Sequence, residues 1–409
     1  MSRKKNNFDM QQISKYLSVT ERDYIALAGA DWPSYDNFIQ HYNVPEFVYK
    51  EIDDTFSKVE KFSNPAFCVL PFYGIEYPSR KQCCLIDYSK ENIEQIKQKM
   101  ISGIRPLACY KCWNLEDQGI VSDRIIKNNL FDVVLNRDLK EIENKCINGD
   151  YNLLHYKIDT NNTCNATCIT CDGASSSAWI NLEKHKGLSV NRHWNIKLEQ
   201  IDIDYVNARA VNFRGGEPLL SKTNFQILQR LIDQKNTDCF ISFTTNGSIQ
   251  LSQEQVDMLK KFSRINFCLS IDGIEKTFEY LRYPLKWSTI LDNIKQYREN
   301  NIELSASFTL SNINMLYYSQ TVEWFGLNKI KFINNSIYSP DYFRPTSLPK
   351  KIKDQIVDNN NLIFISTHNE NDDLLFQDFL CKITEQDNLK NIQMQDYVPE
   401  FYNLIKEYQ

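Results

Sequence analysis

From about residue 153 to 336 the chain alternates short β-rich runs with amphipathic segments at helical spacing. The runs fall at residues 153–160, 209–214, 239–245, 265–271, 304–310 and 330–333. Helical patterns lie at 224–233, 252–262, 289–299 and 315–324. A strand that returns through a helix before the next strand can only build a parallel sheet, joined by right-handed crossovers. Six such units are too few to close an eight-stranded barrel. The expected fold is therefore α/β, an open or partial (β/α)6 TIM-like barrel, with its functional groups at the C-terminal strand ends.

Four segments follow from this frame. Residues 1–60 read as a polar helical N-terminal segment, with a helix-start signal at Asp31-Trp32-Pro33-Ser34 and a break at Pro45. Residues 61–150 are irregular and cysteine-rich, residues 151–337 hold the barrel, and residues 338–409 form a mostly helical C-terminal extension with a polar loop at 369–373. With 42% apolar residues among 409, the chain can bury more than one core. A net charge of -5 argues against nucleic acid as the main partner, since phosphate binding leaves a basic footprint. No run reaches the ~20 apolar residues of a membrane span, and no apolar core follows the basic start, so a cytoplasmic protein is expected. In a reducing compartment twelve cysteines ask for metal rather than disulfides.

The sharpest cluster is Cys164-Asn165-Ala166-Thr167-Cys168-Ile169-Thr170-Cys171, a C-x3-C-x2-C run directly after the first strand. Three thiolates on one tight loop hold three corners of a cluster and leave one iron open for chemistry. The plain alternative is a structural zinc site, in a scaffold without catalysis, although paired C-x2-C knuckles are the commoner zinc spacing. One strand later comes Arg214-Gly215-Gly216-Glu217-Pro218, where glycines let backbone approach a ligand and a carboxylate suits an ammonium. The third and fourth strands close on Thr245-Asn246-Gly247 and Ser270-Ile271-Asp272-Gly273, with Arg282 beyond.

Together these motifs resemble the radical SAM superfamily. The resemblance implies a [4Fe-4S] cluster on Cys164, Cys168 and Cys171, whose open iron chelates S-adenosylmethionine. One electron then yields methionine and a 5′-deoxyadenosyl radical that abstracts hydrogen from substrate. It also implies cofactor contacts from Gly215, Gly216, Glu217, Pro218, Thr245, Asn246, Ser270, Asp272 and Arg282. An external one-electron reductant of flavodoxin or ferredoxin type belongs to the same chemistry.

A second cysteine group precedes the barrel: Cys68, the pair Cys83-Cys84, and Cys109-Tyr110-Lys111-Cys112, followed by Glu116, Gly119, Ser122 and Arg124. It resembles the twitch form of the SPASM auxiliary domain. The resemblance implies a second [4Fe-4S] cluster on Cys68, Cys83, Cys109 and Cys112, with Cys84 as the alternative to Cys83. A four-cysteine zinc knuckle is the rival.

Cys239 and Cys268, inside strands, read as buried apolar residues. Cys381 reads as a core thiol or, more sharply, as a hydrogen-atom donor on a C-terminal element capping the barrel mouth. The five histidines show no ligand spacing. Related auxiliary-cluster enzymes modify ribosomally made peptides or oxidise sugars. The expected function is hydrogen abstraction from a peptide, with epimerisation of L- to D-residues as its sharpest form. Dehydrogenation of a small molecule or carbohydrate, with the auxiliary cluster accepting the electron, is the alternative.

Overall fold

The computed structural model describes residues 64–117, 122–131, 138–188, 192–337, 340–360 and 370–408. The expected helical segment 1–60 and Gly119 lie outside the described residues. The chain divides into two compact units, Met1–Tyr156 and Lys157–Gln409.

The first unit begins with a one-turn helix α1 (Leu70–Tyr73) and a short strand β1 (Gly74–Tyr77). Four helices follow: α2 (Ile93–Ile101), α3 (Tyr110–Asp117), α4 (Asp123–Asn129) and α5 (Leu139–Ile147). α2 opens on a capping box in which Asn92 and Gln95 satisfy each other's backbone N–H groups. α5 is capped by Asp138. The core gathers Phe67, Phe72, Tyr73, Ile96, Met100, Trp113 and Phe131, and several cysteines pack within it.

In the second unit the strands are β2 (His155–Asp159), β3 (Ala210–Arg214), β4 (Phe240–Thr245), β5 (Ile265–Ser270), β6 (Glu303–Leu310) and β7 (Lys331–Ser336). They lie side by side in chain order, and every pairing from β3 to β7 is parallel. Connecting helices include α6 (Ser177–His185), α7 (Lys222–Asp233), α8 (Gln253–Leu259), α9 (Glu275–Leu281), α10 (Trp287–Glu299) and α11 (Tyr318–Leu327). The strands fall where the sequence rhythm places them. The last differs most, running three residues beyond 330–333.

Burial alternates along these strands. Ile241 and Phe243, Ile265, Phe267 and Leu269, and Ala306 and Phe308 are buried. Phe243 meets Phe213 at 4.8 Å and Phe267 at 5.4 Å between ring centroids, and Phe267 meets Tyr297 of α10 at 4.9 Å. The opposite face is polar, with Asn212, Ser242, Asn266 and Glu303 in one register row and Thr244, Cys268, Ser305 and Lys331 in another. Asn212 donates to Ser242 Oγ at 3.1 Å, and Ser305 Oγ to Asn266 Oδ1 at 2.9 Å. A parallel sheet covered by helices on both faces reads apolar throughout. Alternation here means that one face is left for the interior of an open barrel. β7 ends the order, so that edge is open among the described residues.

Beyond the sheet lie α12 (Lys350–Asn360), α13 (Glu370–Lys390) and α14 (Pro399–Ile405). Phe343, Phe376, Phe379 and Phe401 are buried among them. Lys353 and Asp372 form a buried ion pair at 2.6 Å. No described helix is long and apolar enough to cross a membrane.

Phe267 is fully buried between Phe243 and Tyr297. Phe267→Ala should therefore cost about 3–5 kcal/mol of stability, read as a lower denaturant midpoint for the second unit.

Candidate functional site

The loop after β2 carries Cys164, Cys168 and Cys171, all partly exposed. Its course is set by hydrogen bonds on every side. Ser177 of α6 donates to the Cys164 carbonyl and accepts from the Cys164 N–H, both at 3.0 Å. Ser176 Oγ donates to the Ala166 carbonyl at 2.6 Å, and Trp179 Nε1 to the Cys168 carbonyl at 3.0 Å. The Thr167 and Ile169 N–H groups reach the Tyr283 and Leu281 carbonyls at 2.7 and 2.9 Å. From α13, Gln386 Nε2 donates to the Ile169 carbonyl at 2.9 Å.

Upstream, the loop is fixed by the two glycines after β3. The N–H groups of Gly216 and Glu217 donate to the Asn161 and Thr163 carbonyls at 3.1 and 2.7 Å. A Cβ on Gly215 would stand 2.7 Å from the Asn161 carbonyl oxygen, and one on Gly216 would overlap Thr163. Gly215 also takes φ 109°, a region side chains disfavour. The sequence reading had these glycines admitting a ligand. In the fold they admit the backbone that launches the cysteine loop, and Gly215 itself is exposed.

Several expected cofactor contacts prove to be tied to one another. The Glu217 carboxylate is fully buried and accepts from Thr245 Oγ1 and Asn246 N, both at 2.7 Å, and from Leu219 N at 3.1 Å. It binds the end of β3 to the end of β4. Pro218 is buried beside it. Asn246 in turn donates to Asn165 of the cysteine loop at 2.8 Å. Asp272 accepts from Thr309 N at 2.7 Å and pairs with Arg282 at 2.5 Å. Ser270 is half-buried on the polar face of the sheet.

Arg282 links these groups to the thiols. Its Nη1 lies 4.0 Å from Cys168 Sγ, and its Nε is buried with no hydrogen-bond partner. Burial works against its charge, but Asp272 and Cys168 outweigh burial and hold the guanidinium protonated. Burial pushes the Cys164 thiol up to about 11 and Cys171 to about 12, each further raised by Cys168. Cys168 is also raised by burial, while Arg282 and Lys390 pull it back. Lys390 was not singled out by sequence reasoning. It is 5% exposed and lies 4.7 Å over the Trp179 ring, and burial lowers it to about 8.

Cys381 is not brought to this loop. It is exposed on α13, and nine residues of helix, about two and a half turns, put it on the face opposite Lys390. It is therefore no core thiol, and its helix meets the cysteine loop through Gln386 instead, with Lys390 against the Trp179 ring. Cys239 is buried as expected, whereas Cys268 is only half-buried, on the polar face.

In the first unit, Cys68, Cys83, Cys109 and Cys112 line one cavity, with Leu70, Leu85, Ile86, Met100, Asp123 and Arg124. Cys84 is exposed and its N–H turns to Glu76 Oε1 at 3.2 Å. Burial pushes Cys109 up to about 12 and Cys112 to about 11. The spaced Glu116, Ser122 and Arg124 form one buried network. Glu116 accepts from Ser122 Oγ and from Arg124 Nε at 2.9 Å, and Arg124 Nη1 donates to the Phe67 carbonyl at 2.7 Å. That network ties the helix carrying Cys112 to the residue before Cys68. Among the described residues no three His, Cys, Asp or Glu side chains converge on a point as one metal ion requires. A four-iron cluster instead spreads its thiolates over the corners of a cube.

The parallel sheet thus carries a cysteine loop at the end of β2. Residues 158–325 match the radical SAM superfamily, so this stretch is a radical SAM domain, of a family that uses S-adenosylmethionine and a [4Fe-4S] cluster. No curated protein matches the chain. Among solved structures, native anSMEcpe with bound AdoMet is 17% identical, with TM-score 0.38, over 56% of this chain and 62% of that one. The same protein with AdoMet and a Kp18Cys peptide matches at 16% identity and TM-score 0.35, over 50% and 58%. Streptococcus suis SuiB matches at 16% identity and TM-score 0.34, over 62% and 54%. The chain thus spans less than two thirds of the length of each.

Two outcomes follow. Burial holds the Glu217 carboxyl at about 7 against an ordinary 4.5, so the folded state binds this proton more tightly. The stability it contributes is full below about pH 4.5 and is lost as pH rises through about 7, on the order of 3 kcal/mol. The fall in melting temperature between about pH 5 and about pH 8 should be smaller in Glu217→Gln than in the wild type. In the first unit, any iron that an anaerobic reconstitution loads on the four buried thiols should be lost in Cys83→Ala and kept in Cys84→Ala.

Proposed function

We propose that the chain is a radical SAM enzyme with a second, auxiliary iron–sulfur site, acting on a peptide. The observation that carries the reading is the cysteine loop at the end of β2, backed by Arg282 with its buried, unpartnered Nε. A donor left unsatisfied beside three thiols suits a carboxylate bound in the same place. Cys164, Cys168 and Cys171 would hold the cluster. Arg282 Nε and the exposed backbone at Gly215 would meet the amino-acid end of S-adenosylmethionine, and Ser270 faces the remainder. Bound there, cluster and cofactor would supply a hydrogen-abstracting 5′-deoxyadenosyl radical from one electron of an external reductant. Glu217, Thr245, Asn246 and Asp272 act one step back, holding the strand ends and Arg282 in register.

The four-thiol cavity of Cys68, Cys83, Cys109 and Cys112 supports the auxiliary cluster, since it supplies one thiol per corner. The open edge at β7 and the polar face, with its Asn and Ser side chains, support a peptide, whose backbone offers amides to such groups. Epimerisation remains the sharpest form. Its thiol donor moves from Cys381 to Cys268, which sits on the polar face between Thr244 and Ser305. That thiol would give its hydrogen to the α-carbon radical, and one electron and one proton would restore it.

Reconstituted protein should carry about eight irons, falling to about four when Cys164, Cys168 and Cys171 are all replaced by Ala, at four irons per cluster. Zinc without iron or sulfide would sink the enzyme reading. In deuterated water each converted residue should gain one deuterium at its α-carbon with Cys381→Ala and none with Cys268→Ala. An oxidised product with no deuterium would favour the dehydrogenase alternative.

A further inference from the structure

The last turn of α13 carries a buried cation whose surroundings are unusual. Lys390 is 5% exposed, and its ammonium donates to Gln386 Oε1 at 3.0 Å, a neutral partner. Among the described residues no carboxylate lies within ion-pair distance of it. Elsewhere in this unit, buried cations are matched: Lys353 meets Asp372 at 2.6 Å and Arg282 meets Asp272 at 2.5 Å. An ammonium removed from water without an anion costs several kcal/mol, so a compensating charge is expected nearby. The groups whose charge acts on Lys390 are Cys168, Asp387 and Cys171. Asp387 is already engaged, accepting from Tyr280 Oη at 2.9 Å and Met394 N at 3.1 Å.

The helix end is also fixed to the loop rather than merely passing it. Gln386 holds the Ile169 carbonyl at 2.9 Å, between Cys168 and Cys171. Trp179 holds the Cys168 carbonyl at 3.0 Å and presents its ring to Lys390 at 4.7 Å.

We infer that Lys390 is a positioning residue for charge at the cysteine loop, its buried ammonium opposing the thiolates of Cys168 and Cys171 and raising the reduction potential of the cluster they hold. The inference rests on the proposed cluster at Cys164, Cys168 and Cys171. Adding an electron to a thiolate-bound cluster increases its negative charge, and a fixed cation close by favours that form over the oxidised one. Arg282 acts in the same sense from the other side, but Asp272 cancels part of its field. Lys390 has no such partner, so more of its charge is felt at the loop.

The test is a reductive titration of the anaerobically reconstituted full chain, followed by electron paramagnetic resonance, with iron and sulfide measured on each sample. Lys390→Met keeps the length and removes the charge, and Lys390→Arg keeps the charge. At a fixed ambient potential the ratio of reduced to oxidised cluster should fall about tenfold in Lys390→Met, a modest share of what one charge exerts at such range. Lys390→Arg should stay near the wild type. Full iron with an unmoved potential in Lys390→Met overturns the inference, as does an equal shift in both variants. Should Lys390→Met lose the loop's iron, Lys390→Gln, which keeps a donor toward Gln386, takes its place. The underlying cluster reading fails separately and visibly: the wild type would then hold no more iron than the triple Cys164/Cys168/Cys171→Ala protein.

Discussion

The close approach of Gly215 and Gly216 to residues 161–163 governs where everything else at the barrel mouth can sit. Two N–H groups from the end of β3 are spent on the Asn161 and Thr163 carbonyls, one residue before Cys164. No side chain fits between these backbones. The start of the cysteine loop is thereby referenced to the sheet, the most rigid object available. A loop carried by side-chain contacts alone would leave three thiols with three independent errors. Here Ser176, Ser177 and Trp179 refine a position the glycines have already set.

Charge at this mouth is arranged to be compensated from within. Glu217 is buried among three donors, Asp272 is shared between Thr309 and Arg282, and Lys390 feels the charge of Cys168 and Cys171. Burial raises the thiols of both groups well above neutral pH. Deprotonation is thus coupled to metal uptake, because only a metal stabilises several thiolates together in so poorly solvated a place. Arg282 and Lys390 lower the cost of that step at Cys168. The same two cations that make the loop awkward for neutral thiols make it hospitable to anionic ones.

How much of this was legible in the sequence depended on the distance over which each feature is determined. Strands β2 to β7 were legible because the alternation of β-rich runs with helical spacing is local and repeated. The Cys164–Cys168–Cys171 loop was legible because three ligands share eight residues. Cys83 could not be told from Cys84, since adjacent residues point different ways and only packing says which is inside. The hydrogen bonds that join Glu217, Thr245 and Asn246 were not legible for a similar reason: a polar residue at a strand end looks alike whether it meets a ligand or its neighbour. Cys381 drew attention as a thiol near the C-terminus, yet helical phase turns it away. Gln386 and Lys390, on the same helix, carry no motif. They matter only because α13 folds back on a loop more than two hundred residues earlier.

The two cysteine groups differ in a way that bears on what each is for. Cys68, Cys83, Cys109 and Cys112 are buried in a small core, four thiols around one cavity, clamped by the Glu116–Arg124 network. Four thiols around one cavity offer a ligand for every corner of a cluster and leave no position for a substrate. Cys164, Cys168 and Cys171 are half-exposed, three in number, and set beside a buried donor without a partner. An incomplete ligand set with an adjacent unsatisfied donor is tolerable only where a further molecule completes both. The difference between the two groups is one of coordination number: one offers four thiols around a cavity, the other three thiols and an adjacent donor.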